Sequence, residues 1–212
     1  MEAERRRPGG TMSAAFTLFP NLHMHAATPP SPWIQRWSHL LAPQASVLDV
    51  ACGPGRHMRW FQARGHAVTG VDRDAQALAG LQGVGELLCA DIENGPWPLP
   101  GRQFGAVVVT HYLWRPLWPA LLDSVAPGGV LLYETFAQGN EAFGKPSRPD
   151  FLLAPGELLQ ACTGWHIVAY EHGQLGEPDR MVQRIAALRP DATGREPVAM
   201  LAHQKASGSA IA

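Results

Sequence analysis

An apolar run, Val47 to Ala51 (VLDVA), passes directly into Gly53-Pro54-Gly55 and then into a stretch that can open a helix at Arg56. Small residues at such a turn let the backbone approach a ligand, and the first N–H groups of the following helix have no partner inside it. A lone Gly-x-Gly is weak evidence. It gains weight from Asp72, which closes the next apolar run (VTGVD) about 20 residues on, where a carboxylate can accept both hydroxyls of a ribose. Asp91 closes a third run (LLCADI), with Ile92 beside it to pack on an adenine ring. Three successive strand ends therefore converge on one crevice of nucleoside size. A nicotinamide dinucleotide fits poorly, because the third small residue of G-x-G-x-x-G is replaced by Met58. Asp49 is buried by its place in an apolar strand, and bracing of the glycine turn through backbone N–H groups is one role open to it.

A second set of residues follows the fourth and fifth apolar runs. His111 and Tyr112 come after VVVT; His111 can take a proton from a hydroxyl or a protonated nitrogen, and shaping a pocket is an equal alternative. Tyr133, Glu134 and Phe136 end the fifth run, and Asn140, Lys145 and Arg148 lie in the long segment AQGNEAFGKPSRPDFLLAP. That segment is too long for a routine connection, and it is expected to close over a substrate, with Lys145 or Arg148 meeting an anionic group. A solvated loop is the bland alternative. His57, beside the glycine turn, is a further substrate-side candidate. His23 and His25 form an H-x-H pair without a third ligand, so no metal is expected. Trp33 with Trp37, and Trp114 with Trp118, stand at i, i+4 spacing, which is the spacing of packing residues.

These residues need a framework of alternating strands and helices. Ser31-Pro32 opens a leading helix that runs to near Pro43, with Ser31 as its cap. The pattern continues as strand 47–51, helix 56–64, strand 66–72, helix 74–82, strand 86–92, strand 106–111, helix 117–126 and strand 130–135. A short helix at 155–162 precedes two antiparallel strands, 165–172 and 180–189. Such alternation predicts an α/β fold with a doubly wound, mostly parallel sheet. The boundaries expected are a flexible leader over 1–30, one domain over 31–189, and a disordered tail over 190–212.

Composition bounds the function. The 212 residues hold one ordinary domain. Lys+Arg 17 against Asp+Glu 18 gives a formal charge of -1, which supplies no long-range pull toward nucleic acid or an anionic membrane. The 3 cysteines form no Cys-x-x-Cys and no cluster with histidine, in keeping with a reducing cytoplasm. No run of apolar residues is long enough to span a bilayer.

Taken together, these motifs resemble the class I S-adenosylmethionine-dependent methyltransferases over roughly residues 33–189. Asp49, Gly53 and Gly55 match the first motif, Asp72 the ribose-binding acid, Asp91 the adenine-side acid, and Pro127-Gly128-Gly129 the turn before the fifth strand. Ala51 departs from the pattern, standing where a first glycine is common. The resemblance implies a seven-stranded sheet of order 3-2-1-4-5-7-6 ending in an antiparallel hairpin. It also implies S-adenosyl-L-methionine held by Asp49, Ala51, Gly53, Gly55, Asp72, Arg73, Asp91, Ile92 and Thr110, with His111 and Tyr112 at the reacting methyl. The stretch ACGPGRH and the 133–159 segment are similar to short bacterial methyltransferases of the tellurite-resistance and thiopurine type, implying a small-molecule acceptor. An RNA or protein methyltransferase, or a non-catalytic cofactor-binding subunit, remain the rival readings.

Overall fold

The computed structural model describes residues 28–193. Most of the expected leader, the His23/His25 pair and the expected tail beyond 193 lie outside the described residues. The strands are β1 (Val47–Val50), β2 (Val68–Asp72), β3 (Glu86–Cys89), β4 (Phe104–Thr110), β5 (Val125–Phe136), β6 (His166–Leu175) and β7 (Arg180–Leu188). They form one sheet in the order β3-β2-β1-β4-β5-β7-β6, parallel from β3 to β5 and antiparallel where β7 joins β5 and β6. The expected order and hairpin are both present.

Among the described residues, five α-helices flank the sheet: α1 (Pro32–Trp37), α2 (Arg56–Gln62), α3 (Ala75–Ala79), α4 (Trp118–Asp123) and α5 (Glu157–Ala161). Side chains alternate across each strand, so β4 and β5 feed two cores at once. Val107, Val109, Leu131 and Tyr133 pack with Leu121 of α4 and Leu158 of α5. Ala106, Val108, Val130 and Leu132 pack with Trp33 and Ile34 of α1, Met58 and Phe61 of α2, and Leu78 of α3. Trp33 and Trp37 meet edge to face at 5.7 Å inside this second core, which gives their i, i+4 spacing a packing role.

Several boundaries move from their expected places, each for a local reason. The leading helix keeps its Ser31 cap, whose Oγ accepts from the Trp33 N–H at 3.1 Å. It tightens into a 3-10 turn at Ser38–Leu40 instead of continuing to Pro43. Strand β1 stops at Val50 because Ala51 enters the left-handed region at φ 53°. Strand β3 stops at Cys89, which leaves Asp91 and Ile92 in the turn beyond it. Strand β5 begins earlier than expected, at Val125, and bulges out at Pro127-Gly128-Gly129, so that its partners jump from Phe104↔Val125 to Ala106↔Val130.

The glycine turn packs closely against the turn that follows α3. Gly55 sits at φ 73° and a Cβ there would drive into the fully buried Leu81, whereas a Cβ on Gly53, at φ 52°, would meet open space. Gly53→Ala should cost about 1–2 kcal/mol of backbone strain, and Gly55→Ala that plus about 1–3 kcal/mol of overpacking. Urea unfolding of the two variants reads the difference; equal losses would mean that Leu81 yields.

Candidate active site

The C-terminal ends of β1 to β5 open onto two adjoining hollows. The smaller, about 160 Å³, lies against Ala51, Asp72, Arg73, Asp91, Ile92 and Tyr112. Asp72 Oδ2 accepts from the Gly53 N–H at 2.7 Å, and its Oδ1 from the Asp74 N–H at 2.9 Å. Asp72, reaching across from β2, thus braces the glycine turn at Gly53, while Asp49 accepts from the Met58 N–H in the first turn of α2. Asp91 is oriented by the Asn94 side-chain amide at 2.9 Å and by the Glu93 and Asn94 N–H groups at 3.0 and 3.2 Å. These bonds, the Asn94 amide first, hold its carboxyl below the ordinary range. Tyr112 faces this smaller hollow, not the reacting side expected for it. Its hydroxyl is buried without a partner among the described residues, and burial pushes the phenol well above its usual range.

The larger hollow, about 570 Å³, is walled by His111, Glu134 and Phe136 at the strand ends, by Asn140 and Lys145 from the long loop, and by residues 28–32 leading into α1. His111 sits at φ 55°, strained for a residue with a Cβ, and its N–H donates to the Glu134 carbonyl at 2.9 Å. That turn lays the imidazole beside the Phe136 ring, 5.2 Å between centroids. Partial burial, followed by the nearby Arg56, lowers the His111 pKa, so the ring is a neutral acceptor at physiological pH. Glu134 reaches the cavity with both oxygens in use: Oε1 accepts from Ser31 Oγ at 2.9 Å, and Oε2 pairs with Arg184 at 3.3 Å. Asn140 is also spent on structure, donating to the Pro146 carbonyl at 2.9 Å and accepting from the Met181 N–H at 3.1 Å.

Three expected substrate-side residues lie elsewhere. Tyr133 points into the core, 2% exposed, and its hydroxyl donates to the Tyr112 carbonyl at 2.8 Å; alternation along β5 puts it opposite Glu134. His57 is 1% exposed beneath α1, where its Nε2 accepts from the Ser31 N–H at 3.1 Å and its Nδ1 lies 4.0 Å from Asp49 Oδ2. Since Nε2 accepts, the proton of the neutral ring is on Nδ1 and faces Asp49. Arg148 is exposed, pairs with Asp150 at 2.7 Å and borders a neighbouring depression, not the larger hollow.

Arg56 is the principal residue that sequence reasoning missed. It opens α2, lines the larger hollow and donates to Thr110 Oγ1 at the end of β4 over a long 3.4 Å. Among the described residues no carboxylate lies within ion-pair distance of it. It is the only cation in VLDVACGPGRHM, and that was the available signal. Thr28 to Pro32, and Arg180 from β7, reach the same cavity without any local motif.

The pattern of a methyltransferase domain matches residues 47–128, from the start of β1 into the β5 bulge. Malonyl-[acyl-carrier protein] O-methyltransferase of Salmonella typhimurium is 30% identical over 144 residues, covering 61% of this chain and 57% of that protein. The tRNA U34 carboxymethyltransferase of Klebsiella pneumoniae is 31% identical over 130 residues, covering 53% of this chain and 35% of that protein. The chain thus spans about half or less of these relatives' lengths. Among solved structures, TehB from Haemophilus influenzae superposes with a TM-score of 0.60 at 19% identity, over 72% of this chain and 59% of that one. An S-adenosylmethionine-dependent methyltransferase from Mesorhizobium loti superposes with a TM-score of 0.57 at 19% identity, over 72% and 95%. At such identities the structural likeness establishes the fold.

Asp49 carries the clearest electrostatic signature of the site. Burial raises its carboxyl to about 7, and Oδ2 has no hydrogen-bond partner among the described residues. Burial likewise depresses His57 to about 3. The folded state holds the Asp49 proton more tightly than the unfolded chain, so the carboxyl costs stability progressively from about pH 4 to about pH 7. His57 acts in the opposite sense, since the unfolded chain takes up its proton as pH falls from 6.5 toward 3. Urea unfolding of Asp49→Asn, which removes only the first effect, should therefore show a gap that moves in the variant's favour as pH rises from about 4 to 7 and is constant above. A gap independent of pH would mean that Asp49 is not held protonated by burial.

Proposed function

We propose that the chain is a class I S-adenosylmethionine-dependent methyltransferase and that it methylates a small molecule held between His111, Phe136 and the 137–155 loop. The observation that carries this reading is the pair of adjoining hollows at one sheet edge, with the consecutive residues His111 and Tyr112 facing one each. The residues fit the cofactor. Of the buried side-chain polar atoms left without a partner among the described residues, two are oxygens, Asp49 Oδ2 and Tyr112 Oη, and both belong to the strand ends where the cofactor would lie. Asp72 would take the ribose hydroxyls, Asp91 and Ile92 the adenine, Asp49 the ammonium and Arg56 the carboxylate of the methionine arm.

The cofactor supplies a methyl group on a sulfonium, open to in-line displacement by the acceptor. Everything else falls to the protein: orienting the acceptor, excluding water and receiving a proton where the acceptor carries one. Neutral His111 can receive that proton on its imidazole nitrogen from a hydroxyl or a protonated nitrogen. A thiolate acceptor needs no such help. The named relatives act on a malonyl group carried by a protein and on a tRNA base; here the formal charge of -1 and the walled cavity favour a free small molecule. The free cysteines fit a reducing cytoplasm.

Calorimetric titration with S-adenosylhomocysteine should show binding, and NAD should show none; the reverse would end the assignment. Asp72→Ala should weaken S-adenosylhomocysteine by tenfold or more, through loss of about 1.5–3 kcal/mol per charged hydrogen bond. Arg56→Gln should weaken S-adenosylhomocysteine by about tenfold and leave 5′-methylthioadenosine, which lacks the amino-acid arm, unchanged; equal effects on both would remove Arg56 from that role. Labelled methyl cofactor incubated with a metabolite extract should yield a labelled small molecule, and label confined to RNA or protein would replace the acceptor proposed. With the product in hand, His111→Ala should lower turnover by about 100-fold at unchanged S-adenosylhomocysteine affinity, whereas unchanged turnover would leave only a pocket-shaping role.

A further inference from the structure

We infer that the acceptor is an amphipathic anion, and that its apolar tail lies in a second depression beside the acceptor cavity. This rests on the methyltransferase reading and narrows it. The depression, about 450 Å³, is formed by Phe136, Lys145, Pro146, Ser147, Arg148 and Phe151, and its surface is chiefly carbon. Phe136 and Lys145 line the acceptor cavity as well, so the two spaces meet across one aromatic ring and one aliphatic stem. Phe136 also stacks on His111. A ligand running along this ring therefore has its reactive end at the imidazole and its body directed toward Phe151.

Exposure on this loop agrees with a ligand that extends outward. Three large apolar side chains are exposed among the described residues, and two of them, Phe143 and Phe151, stand on the 137–155 loop. Phe143 lines the first cavity and Phe151 the second. Scattered exposed apolar residues need no explanation, but two rings along one continuous hollow amount to an apolar track. Charge at the junction selects the other end of the ligand. Arg148 is neutralised by Asp150 and lies over the Phe151 ring at 5.3 Å. Lys145 has no carboxylate within ion-pair distance among the described residues, and Arg56 deeper in the cavity has none either. Glu177, Asp179 and Arg180 also line the first cavity, but Lys145 is the one charged residue common to both hollows. The track is thus flanked at its junction by a cation that forms no ion pair among the described residues; it attracts an anionic group and leaves an alkyl or aryl tail on Phe136, Pro146 and Phe151. Another candidate cover is the chain's own apolar stretch Ala14 to Phe19, which precedes Thr28 at the rim of the first cavity.

The test uses the full chain saturated with S-adenosylhomocysteine and titrated calorimetrically with butanoate, hexanoate and octanoate as probes. Full burial of a methylene is worth roughly fourfold in affinity, so octanoate should bind at least about tenfold more tightly than butanoate even with partial burial. Phe151→Ser should erase most of that gap without changing butanoate or S-adenosylhomocysteine affinity, and Phe151→Leu should restore it. Lys145→Gln should weaken all three acids alike. No gap in the wild type, or the same gap in Phe151→Ser, overturns the proposal. So does a gap that emerges only when Phe16 and Phe19 are both replaced by serine, which would give the track to the amino-terminal segment. Failure of S-adenosylhomocysteine itself to bind strikes the methyltransferase reading instead, so the two failures are told apart within one titration.

Discussion

Two neighbouring strand ends are held together by the 2.7 Å hydrogen bond from the Gly53 N–H to Asp72 Oδ2. Parallel pairing aligns β1 with β2 only as far as Val50↔Val71, and beyond it the chain must leave the sheet, turn and enter α2. Ala51, Gly53 and Gly55 make that turn in left-handed conformations. Ala51 bears about 1–2 kcal/mol of strain for its methyl, since it has no glycine's freedom. The Asp72 carboxylate gathers the turn and gains the charge-assisted bond that makes it persist. Because the turn is fixed, Arg56 emerges into the larger hollow, and Leu81 of the next loop closes against Gly55. The same carboxylate lines the smaller hollow, so holding the turn and presenting an acid to the proposed ribose would be one act.

A second set of buried polar groups ties this turn to the roof of the acceptor cavity. Asp49 faces His57, His57 accepts from the Ser31 backbone, and the Ser31 hydroxyl donates to Glu134, which pairs with Arg184 and, through it, Glu171. The Arg184 guanidinium also covers the Trp33 ring at 4.8 Å. Residues 28–32 are therefore fastened at one point to α2 and at another to β5. Each fastening is buried, so each would leave an unpaired polar group if it opened alone. The consequence is a cavity wall linked through buried polar contacts to the acid beside the glycine turn.

The alternation of strands and helices and the closing hairpin were legible in the sequence because they rest on apolar periodicity and on glycine and proline punctuation, whereas the order of the strands came from the family resemblance alone. Asp72, Asp91 and Ile92 were legible too, since they end apolar runs at spacings that a parallel sheet converts into neighbours. What could not be read was the direction of side chains beyond the strands. Tyr133 and Glu134 are adjacent in sequence, yet period-two alternation sends the first into the core and the second to the cavity. His111 and Tyr112 separate for a different reason, a single left-handed residue at the end of β4. His57 looked substrate-facing because the glycine turn precedes it, but one further step along α2 rotates it beneath α1, leaving Arg56 at the opening. Interactions between segments far apart in sequence, such as Ser31 with Glu134, leave no local pattern at all.

His111 shows how strain is tolerated at such a site. A histidine at φ 55° costs about 1–3 kcal/mol, and nothing in its own side chain compensates locally. The compensation comes from the ladder, where its N–H meets the Glu134 carbonyl, and from the ring contact with Phe136 two residues farther along β5. An extended conformation at this position would continue β4 and carry the imidazole away from Phe136. The left-handed turn instead leaves it at the seam between the two hollows, partly desolvated and neutral. Conformation, protonation state and location thus have one cause, and that cause is the early end of β4 beside a longer β5.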